Sequence, residues 1–228
     1  MKKTVALLII FFPFVLLCQT RDSAKSCKVN VGITFSPDYC FRTLKSNTSN
    51  DWMKESVDTL EVAKFGYTSG INVVYLLNNR ITLATGVLLA NKGEKTKKYF
   101  GSHAQIFNYN SQYYYLDIPV KFNYYILNKK LKLFLTGGLS ANVFITHKVT
   151  QIAGYTNDDK KTAFYNKSGL SKINPSFLVG FGIDCALTNK WYFKLEPLYR
   201  RSITPIANAP IKKYLYSAGL NFGFFYKL

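Results

Sequence analysis

Apolar and polar side chains alternate with a period of two residues along most of this chain. From Lys28 to Ser36 every second residue is apolar, beginning with Val29 and ending with Phe35. A period of two is that of a β-strand with one apolar and one polar face. The pattern returns seven times, over residues 70–77, 81–89, 116–124, 132–145, 177–187, 191–200 and 219–228. We therefore expect eight strands.

The connections between these strands alternate between short and long. The short ones are residues 78–80, 128–130 and 188–190, and the long polar ones are residues 37–64, 91–112, 147–174 and 202–213. Outer-membrane barrels have this asymmetry, with short periplasmic turns and longer extracellular loops. The sequence therefore predicts an all-β fold, an eight-stranded antiparallel up-and-down transmembrane β-barrel located in the cell outer membrane.

The two faces of the predicted strands differ in charge. The apolar face carries almost none, so we expect it to contact lipid, where Lys or Arg would cost about 2 to 4 kcal/mol near the midplane. Aromatic residues near strand ends, such as Tyr124, Trp191 and Tyr216, suit interfacial girdles. The other face is expected to form a paired charge network in the lumen, made of Asp117, Lys121, Lys132, Asp184, Lys194, Glu196 and Arg200.

The N-terminus has the pattern of a secretory signal peptide. Lys2 and Lys3 precede an apolar run, residues 5–17, that is too short to span a bilayer as a helix, which takes about 20 residues. We expect residues 1–19 to be removed, leaving a short segment, 20–27, before the barrel at 28–228. Lipid modification of Cys18 is the alternative, although Leu17 is bulky for a lipoprotein signal.

Several short motifs on the predicted strands carry a resemblance to a known family. They are the run Y-L-D-I-P-V-K-F-N-Y from Tyr115 to Tyr124, the Gly137-Gly138 pair, Gly180-x-Gly182-x-Asp184, Leu195-Glu196-x-x-Tyr199 and the alternating aromatic C-terminus. With these motifs the chain resembles the PorT-like outer-membrane β-barrel family of Bacteroidota-type bacteria. The resemblance implies a barrel that the barrel-assembly machinery recognises, with a possible envelope protein partner in secretion or assembly. It implies no particular activity.

Catalysis has weak support in the sequence, and we expect no enzyme and no cofactor. Ser102, His103, His147 and Asp158 or Asp159 fall in predicted outer loops, where a lipid-modifying enzyme could place them, but nothing in their spacing requires a catalytic site. A barrel of eight strands is just wide enough for its own side chains to fill it. A general diffusion pore is therefore not expected, and a narrow channel remains a second alternative.

The cysteines predict neither a metal site nor a disulfide. Cys27 and Cys40 flank the first strand, whose ends would be about 40 Å apart at about 3.3 Å per residue, so we expect no bond between them. Cys185 lies in the lipid-facing register and is interpreted as a small apolar residue.

A net charge of +18 is the most informative functional feature. Lysines in the long loops would lie near the phosphates of lipopolysaccharide, and the alternative is a merely solvated surface. Nucleic-acid binding is not expected, because the chain has no recognition motif. The leading hypothesis is a non-enzymatic structural or interaction module. Its possible anion-contacting residues are Lys92, Lys95, Lys97, Lys98, Lys160, Lys161, Lys212 and Lys213.

Overall fold

The computed structural model describes residues 28–46, 51–100, 106–128, 131–155, 158–166 and 169–228. The predicted signal peptide and the segment 20–27 lie outside these residues, as do Cys18, Cys27, Ser102 and His103. Their roles stay predictions.

The described chain forms ten strands and one helix. The strands are β1 (Val29–Ser46), β2 (Glu61–Leu76), β3 (Ile81–Thr96), β4 (Tyr99–Phe100), β5 (Ile106–Asn128), β6 (Leu131–Tyr155), β7 (Asp158–Asn166), β8 (Ile173–Ala186), β9 (Trp191–Ser202) and β10 (Ile211–Lys227), and the helix α1 (Asp51–Leu60) lies between β1 and β2.

Eight of these strands close into an antiparallel ring. β1 pairs with β2 on one side and with β10 on the other, and pairing continues through β3, β5, β6, β8 and β9 back to β10. β4 and β7 are short partners of β5 and β6 outside the ring. Closure removes the unpaired edges that an open sheet would expose. The predicted eight-stranded antiparallel barrel is confirmed.

Side chains alternate between the outside and the inside of the ring as the sequence predicts. On β1, Ile33 is 66% exposed and Phe35 51%, whereas Thr34 and Ser36 are buried. The same alternation on β5 exposes Phe122 and buries Lys121 and Asn123. An apolar outer face with a polar interior is the arrangement of a barrel in lipid. None of the helical residues that the structure describes belongs to a helix long and apolar enough to cross a membrane.

The strands are longer than the sequence pattern predicted, and they take up part of the residues that were assigned to long polar connections. β1 continues to Ser46, β6 to Tyr155, and the interval 147–174 contains all of β7. Transmembrane strands need about 9 to 11 residues, so these extensions stand beyond the apolar band. In water the outer face of a strand can be polar, and the apolar alternation that identifies a strand is lost while its backbone pairing persists.

The short connections owe their geometry to local side-chain hydrogen bonds. At the β2–β3 turn, Asn78 Oδ1 accepts hydrogen bonds from the backbone N–H groups of Arg80 and Ile81, both at 2.8 Å. At the β8–β9 turn, Thr188 Oγ1 accepts from the N–H groups of Lys190 and Trp191 at 3.3 and 3.0 Å. Asn and Thr are favoured in turns for this capacity, and both turns lie at the same end of the ring.

Candidate functional site

The lumen carries a series of ion pairs, and the first lies near the short-turn end. Lys194 Nζ is 3.2 Å from Asp184 Oδ1, and both side chains are buried. The Tyr125 hydroxyl donates a 2.6 Å hydrogen bond to Asp184 Oδ2. The Lys194 ammonium also lies 4.0 Å from the centroid of the Phe134 ring. Burial of opposite charges requires this kind of pairing and hydrogen bonding.

The second pair lies midway along the barrel. Lys121 Nζ is 2.7 Å from Glu196 Oε2, which also accepts a 2.9 Å hydrogen bond from Asn221 Nδ2. Glu196 is fully buried. β5, β9 and β10 each contribute one residue, so these contacts connect strands across the lumen.

The third pair joins Arg200 to Asp38, with Nη1 2.9 Å from Oδ1. Asp38 is fully buried and also accepts hydrogen bonds from the hydroxyls of Ser36 at 2.6 Å and Thr68 at 2.5 Å. The sequence analysis missed Asp38 because it ended the first strand at Ser36. The available signal was the continued alternation of Tyr39 and Phe41 with inward residues.

Asp117 and Lys132 complete the seven predicted lumen residues. Asp117 is fully buried and accepts a hydrogen bond from the Ser140 hydroxyl, while its Oδ2 has no hydrogen-bond partner among the described residues. Lys132 is half-buried, with its Nζ 5.7 Å from the centroid of the Tyr125 ring. Six of the seven residues are thus buried in the lumen and Lys132 lies at its short-turn end.

The lumen is filled. Between the first two ion pairs it leaves a void of about 10 Å³, lined by residues that include Lys121, Lys194 and Asn221, room for about one water molecule. At the long-loop end Ile206 folds inward and packs with Ala90, Tyr113, Tyr115 and Leu215 in an apolar cluster. Among the residues that the structure describes, this leaves no wide path along the axis.

A second set of ion pairs ties α1 and its neighbours to the long-loop end. Arg42 is paired with Asp58 of α1 and, through Nε at 2.5 Å, with Glu61 of β2. Lys213 lies between Glu61 and Glu94, at 3.2 and 2.6 Å. These pairs hold the extended strands together beyond the apolar band.

Two of the predicted anion-contacting lysines face into the barrel, so the expected exposed position is wrong for them. Lys92 is 4% exposed and donates a 2.8 Å hydrogen bond to Asn142 Oδ1 inside the barrel. Lys213 forms ion pairs with Glu61 and Glu94. The physical reason is that β3 and β10 continue into the predicted loops, and strand parity turns these two side chains inward.

The other predicted lysines differ in what the structure describes of them. Lys95, Lys97, Lys98 and Lys212 are exposed. Lys160 and Lys161 lie in β7, where the positions of their side chains are outside the described residues.

A basic cluster on the outer face of β9, β10 and β1 contains Lys212, which the sequence analysis named, together with Lys45 and Arg201. Lys45 and Lys212 are both exposed and stand directly opposite each other across the β1–β10 pairing. Arg201 of β9 is paired with Tyr216 of β10, which packs edge-to-face on Phe41 at 6.1 Å between ring centroids. None of the three cations has an ion-pair partner among the described residues. We call Lys45, Lys212 and Arg201 the outer basic cluster.

His147 is the one described member of the suggested catalytic set whose side chain can be placed. Its ring stacks on Tyr113 with 4.2 Å between centroids, and Nε2 is buried with no hydrogen-bond partner among the described residues. Two residues beyond the apolar Ile145, it lies outside the membrane-spanning part of β6. Burial and, second, the positive charge of Lys213 lower the pKa of His147 to about 4. No nucleophile or carboxylate hydrogen-bonds to this imidazole within the described chain. Nor do the described His, Cys, Asp and Glu residues group into a metal site.

Comparison with known proteins identifies the architecture. A sequence family described as "Outer membrane protein beta-barrel domain" matches residues 19–208. The crystal structure of Neisserial surface protein A is similar over 90% of this chain and 99% of that one, with a TM-score of 0.50 and 14% identity. The crystal structure of OprG from Pseudomonas aeruginosa has a TM-score of 0.47 and 13% identity, over 90% of this chain and 97% of that one. The outer membrane protease OmpT from Escherichia coli has a TM-score of 0.45 and 9% identity, over 92% of this chain and 100% of that one. A search of curated protein sequences gave no match. At these identities the likeness concerns the fold alone.

Proposed function

The chain belongs to the outer membrane protein β-barrel domain family, and from this premise we propose that it is a non-enzymatic interaction module whose outer basic cluster binds lipopolysaccharide phosphates. The protein is located in the cell outer membrane. The observation that carries the proposal is the direct opposition of Lys45 and Lys212 on the outer face.

The filled lumen supports a role on the outside of the barrel. Among its buried cations, Lys121 and Lys194 are paired with buried carboxylates, and Lys92 donates a hydrogen bond to the amide oxygen of Asn142. A lumen so occupied stabilises the barrel and offers no roomy binding site. Surfaces that remain for a partner are the outer face and the long-loop end.

The position of the outer basic cluster suits a phosphate-rich lipid. Like charges directly opposite on neighbouring strands are destabilising, and a bound phosphate would remove this repulsion. Phe41, Tyr214 and Tyr216 lie next to the cluster on the outer face, and Lys45 Nζ is 5.5 Å from the centroid of Tyr214. Aromatic rings of this kind mark the membrane interface, which supports a position of the cations at the height of lipid headgroups.

The resemblance to the PorT-like family of Bacteroidota supports a finer proposal, an envelope protein partner in secretion or assembly. The long-loop end, with α1 and the exposed Lys95, Lys97 and Lys98, is the surface that such a partner would contact. We also propose that the barrel-assembly machinery recognises the last strand, where Phe224 faces outward.

Binding of lipopolysaccharide to the purified, refolded protein in detergent micelles tests the proposal. The double variant Lys45→Gln/Lys212→Gln should raise the Kd for lipopolysaccharide about thirtyfold, because each basic residue near an anionic surface contributes ~1 kcal/mol to binding. Dephosphorylated lipopolysaccharide should bind the wild type about as weakly as intact lipopolysaccharide binds the variant.

The matched control is Lys97→Gln/Lys98→Gln, which removes the same charge from exposed positions between β3 and β4. It should change the Kd by about twofold or less. Equal losses in the two double variants, or equal affinity for intact and dephosphorylated lipopolysaccharide, would contradict the proposed site.

A further inference from the structure

The charged side chains described at the exposed short-turn end of the barrel are all basic. Every Asp and Glu side chain that the structure places lies in the lumen, on α1 or among the strand extensions at the other end. The residues between β5 and β6 in the sequence are Lys129 and Lys130. We call the described basic residues at this end the basic rim: Lys28, Arg80, Lys132, Lys190 and Lys227.

The basic rim contains no close ion pair, although Lys132 stands opposite the lumen residue Asp184 in the β6–β8 pairing. None of its five cations has an ion-pair partner within the described chain, in contrast with the lumen cations Lys121, Lys194 and Arg200. The rim residues come from different segments of the ring: the β1 and β10 ends, the β2–β3 turn, the start of β6 and the β8–β9 turn. A ring of unpaired cations attracts anions from all sides.

The aromatic rings next to the rim indicate which anion it meets. Lys190 Nζ lies 5.7 Å from the centroid of Tyr226, which packs on Trp191 at 5.0 Å. Trp191 is 48% exposed on the outer, lipid-facing side. Arg80 lines an open groove with Asn78, Asn79, Ile81 and the lipid-facing Tyr124. Cations beside lipid-facing aromatic rings lie at the membrane interface.

We propose that the basic rim binds the phosphate groups of anionic phospholipids in the periplasmic leaflet. The short turns of outer-membrane barrels face the periplasm, which places the rim at the inner headgroup layer. An acidic protein would not need cations beside lipid-facing rings, so the lipid is the favoured partner. The site is at the opposite end from the outer basic cluster and does not depend on lipopolysaccharide binding.

Tryptophan fluorescence can report on this site directly. The chain has two tryptophans, Trp52 in α1 and Trp191 at the rim. A Trp52→Phe variant, refolded into phosphatidylcholine vesicles, therefore reports on the rim alone. Brominated phosphatidylglycerol should quench the fluorescence of Trp191 with an association constant about fivefold higher than that of brominated phosphatidylcholine. This factor is the one expected for the attraction of an anionic lipid by one basic residue near the surface. High salt should reduce this preference.

Charge variants of the same reporter protein assign the preference to the rim. Lys190→Gln/Arg80→Gln should bring the ratio of the two association constants close to one, whereas Lys190→Arg should retain it. The control Lys97→Gln/Lys98→Gln, at the other end of the barrel, should leave the ratio unchanged. Equal quenching by the two brominated lipids in the parent protein would overturn the proposal, as would a preference that survives Lys190→Gln/Arg80→Gln.

Discussion

At the scale of single residues, the lumen shows why its charges are paired. Glu196 is fully buried and takes hydrogen bonds from Lys121 and Asn221 on two other strands. Removing one partner of a buried ion pair leaves the other charge uncompensated, at a cost of about 3 to 5 kcal/mol. Replacing both by apolar residues of similar size is often neutral.

We therefore expect Lys121→Met to lower the free energy of unfolding by about 3 to 5 kcal/mol, because Glu196 would remain buried and charged. Lys121→Met/Glu196→Leu should recover most of this loss. Reversible urea unfolding in lipid vesicles measures both values, with the exposed Lys97→Met as control. A double variant as unstable as the sum of the two single variants would show that the pair is not coupled.

At the scale of strands, glycines decide which large rings fit inside the barrel. Gly182 of β8 is paired with Phe134 of β6, whose ring is buried and packs on Tyr125 at 5.4 Å between centroids. A Cβ at Gly182 would collide with the Phe134 ring and would lie 2.7 Å from the backbone oxygen of Leu195. Gly137, by contrast, has open space where its Cβ would be.

Gly182→Ala should lower the free energy of unfolding by about 1 to 3 kcal/mol, the usual cost of overpacking a core. Gly137→Ala, the matched control, should change it by about 0.5 kcal/mol or less. The same urea unfolding measurement compares them, and adding Phe134→Leu to Gly182→Ala should restore part of the loss. Equal effects of the two alanines would contradict the packing described for Phe134.

The strands also show what the sequence can predict. The period of two correctly assigned the faces of Ile33 and Lys121, because inside and outside differ in polarity wherever lipid surrounds the barrel. It failed for Lys92, which lies where β3 leaves the lipid and both faces become polar. Asp38 was missed because the first strand was ended at Ser36, although Tyr39 and Phe41 continue the alternation. The partner of Arg200 could not be predicted either, since Asp38 is 162 residues away and the pairing depends on ring closure.

At the scale of the whole molecule, the barrel combines a neutralised interior with a basic exterior. The pairs Lys121–Glu196, Lys194–Asp184 and Arg200–Asp38 occupy the lumen, so they contribute nothing to the net charge of +18. The outer basic cluster and the basic rim lie at opposite ends. Neither contains an ion pair and both lie next to aromatic rings, which is why we propose lipid phosphates, rather than a solute in the lumen, as their ligands.

The most direct test of a closed barrel in the membrane is electrophoresis of the membrane fraction in detergent, with and without boiling. Closure gives every ring strand two paired neighbours, so we expect the unheated protein to resist unfolding by the detergent. It should then migrate at a different position from the boiled chain. A protein found in the soluble fraction, with the same mobility before and after boiling, would contradict the lipid-facing assignment and both lipid sites that depend on it.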